Sequence, residues 1–422
     1  MELRPGYKKT DVGVIPQDWE IATFGDIVDY TKGFPFKSKD YQKDGIRIIR
    51  VSDTTFDDIK KNNGIYVDER ISFEFKKWEL LENDLIFTTV GSKPPMYDSM
   101  VGKVIMVSKE FEGSFLNQNA VLIRSKKKTK EKQVLLLSHF RMRRYLQHIE
   151  LIYRGNANQA SITLKELFGF QIPLPSTETE QNAIATALSD TDNLIKGLEK
   201  LISKKRNIKQ GAMQKLLKPK DGWELKKLGS IGKSYGGLSG KSKLDFADGK
   251  FPYIPFMNIM SNPIIKTNYV DYVNIEVNEY QNKALKGDLF FNGSSETPEE
   301  VGMCSILLED IPNLYLNSFC FGFRLNKDSK ENGLYLSYFF RSSEGRKLFY
   351  SMAQGATRYN LSKGNFNKLE ISLPKPEDQI VIANILTDMN NEITALETKL
   401  EKYKKVKLGM SQNLLTGKIR LI

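Results

Sequence analysis

The sequence predicts an α/β (mixed α+β) protein with an internal pseudo-two-fold repeat. Two similar globular domains alternate with two long helices, which pair antiparallel as a coiled coil. Three observations predict this. The segment EQNAIATALSDTDNLIKGLEKLISKKRNIKQGAMQKLL (180–217) returns as DQIVIANILTDMNNEITALETKLEKYKKVKLGMSQNLL (378–415), and at a shift of 198 residues 15 of the 37 positions from 181 to 217 are identical. The repeat reaches the globular parts, where WEIATFGDI (19–27) matches WELKKLGSI (223–231) and FLNQNAVLIR (115–124) matches YLNSFCFGFR (315–324). Apolar residues in both long segments follow a 4-3 spacing, the seam of a coiled coil.

The segments follow in order. Residues 1–176 form the first globular domain, 177–218 the central helix, 219–375 the second domain and 376–422 the terminal helix. The predicted helix-pair seam is Ile184, Leu188, Ile195, Leu198 and Ile202 in the first copy. In the second it is Ile382, Leu386, Met389, Ile393, Leu396 and Leu400. Thr191 and Lys205 are polar breaks in the first seam; they either fix the register of the pair or face a partner. Acidic residues precede both helices, where the helix dipole favours them. Pro219 and Gly417 are the expected stops. A helix of this length spans roughly 55 Å, and its apolar stripe needs a partner, which the second copy supplies.

Each globular domain reads as short strands around one helical stretch. GIRIIRVSD (45–53), NDLIFTTVG (83–91), VGKVIMVS (101–108) and NAVLIRS (119–125) are β-branched runs bounded by turn residues. QVLLLSHFRMRRYLQHIE (133–150) reads as a helix, with LYLSYFFRSSEGRKLFYSMA (334–353) as its counterpart. RGNANQAS (154–161) and QGATRYNLS (354–362) read as polar loops.

The net charge of +12 favours a polyanionic partner, nucleic acid above all. The basic runs are scattered over folded segments and do not form one tail. No stretch reaches the ~20 apolar residues of a membrane helix, so no membrane association is expected. The start MELRPGYKKTDVGVIPQDWE lacks a signal peptide's apolar core, and Cys304 and Cys320 make no disulfide framework. The cytoplasm is therefore the expected compartment.

Catalytic motifs are missing. His139 and His148 share one helix without metal-ligand spacing, and no metal site is predicted. GGLSGKS (236–242) lacks the first glycine of a phosphate loop. KPPMY (93–97) has Lys where an amino-methyltransferase needs a hydrogen-bond-accepting Asn or Asp. What remains is a non-catalytic chain with two basic, similar but non-identical domains.

The Trp-Glu start, GFPFKSKDY, LNQN and the proline-containing strand followed by Glu-Gln or Asp-Gln and a long helix (IPLPSTETEQ, ISLPKPEDQ) resemble the specificity subunits of type I restriction–modification systems. The resemblance covers essentially the whole chain. It implies two target recognition domains, each reading one half of a bipartite, asymmetric sequence in double-stranded DNA. The helices would set the spacer and dock two modification subunits. Two restriction subunits would complete the complex. It implies no cofactor in this chain; S-adenosylmethionine would serve the modification subunits, and ATP with Mg the restriction subunits. A coiled-coil scaffold for acidic protein partners is the alternative.

Candidate DNA contacts are the polar and basic side chains of the loops, because Arg or Lys reads guanine and Asn or Gln reads adenine. They are Lys37, Ser38, Lys93, Arg154, Asn156, Asn158 and Gln159 in the first domain. In the second they are Lys241, Ser242, Ser294, Thr357, Arg358, Asn360 and Lys363. The two Lys-Ser pairs suit phosphate contacts.

Overall fold

The computed structural model describes residues 4–156, 159–246, 248–352, 355 and 358–422, with the side chains of Ile71 and Asn156 left out. The chain forms two compact units. Unit 1 comprises Met1–Glu199 and Lys399–Ile422, and unit 2 comprises Lys200–Thr398. These cut across the four sequence segments, because each long helix gives one half to each unit.

The repeat is seen in the two main sheets of each unit. Unit 1 has a four-stranded antiparallel sheet in the order Val28–Lys32, Ala120–Ser125, Leu85–Thr88, Val104–Met106. Unit 2 has the same sheet from Gly232–Gly236, Cys320–Leu325, Leu289–Asn292 and Cys304–Ile306. A three-stranded sheet accompanies each. Ile46–Ile49 lies between Ile65–Val67 and Phe115–Leu116 in unit 1, and Phe251–Ile254 lies between Asp271–Val273 and Tyr315–Leu316 in unit 2. The same charged pair ties both four-stranded sheets. Arg124 donates through Nε and Nη2 to Asp84 at 2.7 and 2.6 Å, and Arg324 does so to Asp288 at 2.7 and 2.7 Å. Two parallel N–H···O bonds fix a guanidinium's orientation as well as its charge.

Two local expectations change. The helical stretch 133–150 is two helices, Lys130–Phe140 and Arg143–Ile152, and its counterpart is Gly333–Arg341 and Ser343–Met352. The break follows an arginine each time, at extended Met142 and Ser342. The segment 154–161, expected as a loop, contains the antiparallel strands Arg154–Asn156 and Gln159–Ser161.

The long helices are Glu178–Leu216 and Pro376–Leu414. Nine of the eleven seam residues are buried: Ile184, Leu188, Ile195, Leu198, Ile202, Ile382, Leu386, Ile393 and Leu400. Met389 and Leu396 are half-buried. Each buried Leu or Ile contributes about 1.5–3 kcal/mol. The helix starts also enter the globular cores. Ile184 and Leu188 cluster with Trp19, Val134, Leu135 and Leu414, and Ile382 and Leu386 with Leu217, Tyr338 and Phe339. Direction is antiparallel within each unit. In unit 1 Thr191 Oγ1 lies 3.6 Å from Met410 Sδ, Asp192 pairs with Lys407, and Glu199 pairs with Lys404 at 3.2 Å. In unit 2 Arg206 meets Glu397 at 2.6 Å and Lys209 meets Asn390 at 2.7 Å. Such part-exposed pairs contribute at most about 1 kcal/mol each and act mainly on register. Both polar breaks are engaged inside the pair. Thr191 also back-bonds to Ala187 O at 2.8 Å, and Lys205 Nζ lies 2.6 Å from Glu392.

The glutamine that opens both helices builds the strand-to-helix corner. Gln181 donates Nε2 to Pro175 O at 2.6 Å and accepts from Lys132 Nζ at 2.5 Å. Gln379 donates to Pro374 O at 2.9 Å and accepts from Asn332 N at 2.9 Å. A proline strand end leaves a carbonyl to be satisfied, and the glutamine amide satisfies it. Among the described residues, no helix is long and apolar enough to cross a membrane.

Candidate nucleic-acid interface

In unit 1 the turn between Phe115–Leu116 and Ala120–Ser125 exposes Gln118 and Asn119. Asn119 adopts the left-handed region, φ 68°, which Asn tolerates. One flank is the loop carrying Lys37 and Ser38, both exposed. Phe34 N donates to Leu116 O at 3.0 Å, and Gln118 N to Phe34 O at 2.9 Å. This approach demands glycine at position 33, where a Cβ would lie 1.9 Å from Asn117 O. The other flank is Thr89, whose N and Oγ1 donate to Asn119 O at 3.0 and 2.9 Å. Thr89 leads into Val90–Gly91, which pairs with Gln159–Ser161 and so sets that strand and its partner Arg154–Asn156 beside the loop carrying exposed Lys93.

Unit 2 repeats the arrangement with different side chains. Its exposed turn is Ser318–Phe319. Leu238 N donates to Leu316 O at 2.8 Å, and Gly293 N to Phe319 O at 2.9 Å. Glycine is again required, since a Cβ at Gly237 would lie 2.1 Å from Asn317 O. Ser294–Ser295 pairs with Tyr359–Asn360 and brings Arg358 and Asn360 to the turn. The Arg358 guanidinium lies 5.2 Å from the ring centroid of Phe319, which is 54% exposed.

The expected contacts therefore fall into two groups per unit, on either side of one exposed turn. The turn residues Gln118, Asn119, Ser318 and Phe319 were absent from the sequence expectations. The paired stretches LNQN and LNSF, alike in position and different at their last two residues, were the available signal. Several expected residues are internally engaged. Lys241, 6% exposed at its side chain, forms an ion pair with Glu279 and lies 3.9 Å from Asp245. Ser242 donates N and Oγ to Asp245 Oδ2 at 2.7 and 2.8 Å. Ser294 is buried. Arg154 pairs with Glu166 at 2.6 Å. The Thr163 hydroxyl, with Arg154 beside it, holds the Glu166 carboxyl below its ordinary range. Gln159, Arg358, Asn360 and Lys363 are exposed. Asn158 and Thr357 lie outside the described residues, as does the side chain of Asn156.

The Lys93 loop has a buried support. Lys103 donates Nζ to Thr54 O at 2.7 Å and to Asp98 O. Burial, with Lys60 nearby, pulls its ammonium down to about 8. His139 is pulled down to about 3, first by burial and then by Arg144, and both cysteine thiols are pushed up, chiefly by burial. Among the described residues, no group of His, Cys and carboxylates could hold a metal ion.

A specific consequence concerns Arg358. Its guanidinium stacks on Phe319 and carries no carboxylate partner among the described residues. Arg358→Ala is expected to cost about 1–3 kcal/mol against the cognate sequence and to relax preference at one base pair. Binding measured across single-base variants checks this; equal weakening on all DNA would make Arg358 a phosphate contact.

Comparison with known proteins matches the duplication of the chain. The family model described as the type I restriction modification DNA specificity domain matches twice, over residues 16–205 and 220–406. The MjaVIII specificity subunit of a type I restriction enzyme from Methanocaldococcus jannaschii is 26% identical, covering 96% of this chain and 94% of its own length. A second chain of that organism, MjaX, is 28% identical over 98% of this chain and 97% of its own length. The solved S subunit of a type I restriction–modification system from M. genitalium has a similar fold. Its TM-score is 0.60 at 15% identity, over 98% of both chains.

Proposed function

This chain belongs to the type I restriction–modification DNA specificity family, and on that premise we propose that it is the non-catalytic DNA-reading subunit of a multisubunit methyltransferase and endonuclease. Each unit reads one half of a bipartite target in double-stranded DNA. The observation that carries this is the duplicated exposed turn, flanked each time by the same two loops. Because the turns differ, Gln118–Asn119 against Ser318–Phe319, the two half-sites differ and the target is asymmetric. Amide side chains suit adenine, whereas an arginine held against an aromatic ring suits guanine and base stacking. Lys37, Lys93 and Lys363 contribute phosphate contacts that position each unit without reading sequence.

The long helices carry the rest of the proposal: they set the spacer and dock two modification subunits. Two restriction subunits join in the full assembly. S-adenosylmethionine then belongs to the modification subunits, and ATP with Mg to the restriction subunits. The cytoplasm, where the DNA lies, is the matching compartment.

The test exchanges residues 19–170 for the equivalent unit of a relative and maps methylation in cells that carry the modification subunit. One half-site should change while the other stays. An unchanged target would overturn the assignment and leave the scaffold reading.

A further inference from the structure

Unit 2 contains a cleft of about 750 Å³ between its long-helix halves and the helix break after Arg341. Four cationic residues line it, Arg206, Lys209, Lys266 and Arg341, with Glu397 as the single acidic one. That carboxylate is already engaged by Arg206 at 2.6 Å. Lys209 donates Nζ to a neutral amide oxygen, Asn390 Oδ1, at 2.7 Å. Arg341 donates only to carbonyls, those of Ile259, Met260, Asn262 and Cys304, at 2.5–3.2 Å. Among the described residues, no carboxylate lies within ion-pair distance of Lys209, Lys266 or Arg341.

The repeat supplies an internal control. Arg141 corresponds to Arg341 at a shift of 200 residues, and Lys407 and Asp192 are related to Lys209 and Asn390 by the 198-residue shift. In unit 1 both cations have acids: Arg141 meets Asp57 at 3.3 Å, and Lys407 pairs with Asp192. Phe56 also covers Arg141, with its ring centroid 4.0 Å from the guanidinium carbon. Unit 2 keeps the cations and has an isosteric amide, Asn390, in the place of Asp192, with the cleft beside them. Burial and the neighbouring charge of Arg341 push the Lys209 ammonium below its ordinary value. Concentrating positive charge in a partly desolvated cleft is unfavourable unless an anion completes it.

We propose that this cleft is a binding site for a phosphate-class oxyanion, held by Lys209 and Lys266 with Arg206 and Arg341 beside them. Phosphate fits better than a carboxylate because it offers more acceptor oxygens and, as a free ion or monoester, up to two negative charges. The cleft is also large enough for a phosphoryl group attached to a larger body. Two sources share this chemistry: a free phosphate compound and the phosphodiester backbone of DNA.

The test is calorimetric titration of the full chain with inorganic phosphate at constant ionic strength. Wild type should show saturable binding. Asn390→Asp, which installs the acid of unit 1, should weaken it by about tenfold or more, the effect of one charge pair of about 1.4 kcal/mol. Lys209→Met should weaken it comparably without adding a charge, so a folding defect in one variant does not decide the matter. Repeating the titration with a DNA duplex present separates the sources. Competition assigns the site to the DNA backbone, and independence assigns it to a free phosphate compound. Absence of saturable binding by wild type, or equal binding by wild type and Asn390→Asp, would overturn the proposal.

Discussion

Arg420→Ala is expected to destabilise unit 1 by about 2–4 kcal/mol. Arg420 comes from the last residues of the chain and closes on its beginning. Its Nε donates to Glu180 Oε1 at 2.5 Å and its Nη2 to Glu180 Oε2 at 2.8 Å. The same guanidinium reaches both oxygens of Asp18 at 2.9 Å. Glu180, 3% exposed at its side chain, also accepts from Trp19 Nε1 at 3.3 Å. Removing the arginine strands a buried carboxylate, which costs more than the pair itself contributes. The arginine remains 24% exposed, so water relieves part of that cost and the expected figure sits below that for a fully buried pair. Calorimetric melting should show the transition of unit 1 falling by roughly 5–15 °C, with that of unit 2 in place. Glu180→Gln in the Arg420→Ala background should recover part of the loss. The pH dependence has a definite sign. Hydrogen bonding to Arg420 lowers the Asp18 carboxyl below its ordinary value. Its contribution is present above the unfolded-state pKa and is lost as pH falls through the lower folded one. The variant should therefore lose less stability than wild type on acidification. A melting temperature unchanged by Arg420→Ala would show that Glu180 is stabilised by other means.

This corner shows what the sequence could not reveal. Glu180 and Asp378 occupy equivalent places in the first turns of the two helices, and retention of a carboxylate suggested equivalence. The structure separates them, since Glu180 is buried beneath Trp19 and Arg420 whereas Asp378 is exposed. A contact between residues 240 apart in sequence leaves no periodicity to read. The long helices were legible because a 4-3 apolar spacing has one physical solution over so many turns. Three strands of the unit 1 four-stranded sheet were legible as β-branched runs, whereas its edge strand Val28–Lys32 was not. The break after Arg141 was not, because apolar periodicity continues across it and only an arginine reaching Phe56 O at 2.5 Å marks the site. At the nucleic-acid interface, residue type located the flanking loops. It could not tell free cations from paired ones: Lys37 and Lys241 occupy matching Lys-Ser pairs, yet one is exposed and the other is held by Glu279. The central turns escaped because two exposed residues in a turn have no composition of their own.

Inserting seven residues after Glu199 and seven before Lys399 is expected to lengthen the spacer by two to three base pairs while both half-sites stay the same. Seven residues add about 10.5 Å to a helix and preserve its 3.5-residue seam. At 3.4 Å per base pair along one strand, that is about three base pairs. Both helices must be extended together. The antiparallel register is written in pairs on each side of the insertion, Glu199 with Lys404 and Asp192 with Lys407 in unit 1, and Arg206 with Glu397 and Lys209 with Asn390 in unit 2. Extending one helix alone would oppose these pairs and shift buried seam residues such as Ile195 and Ile393 towards water, so loss of modification is expected there. Methylation mapping of the doubly extended subunit reads the spacer directly. If the old spacer is retained, the helices do not set it.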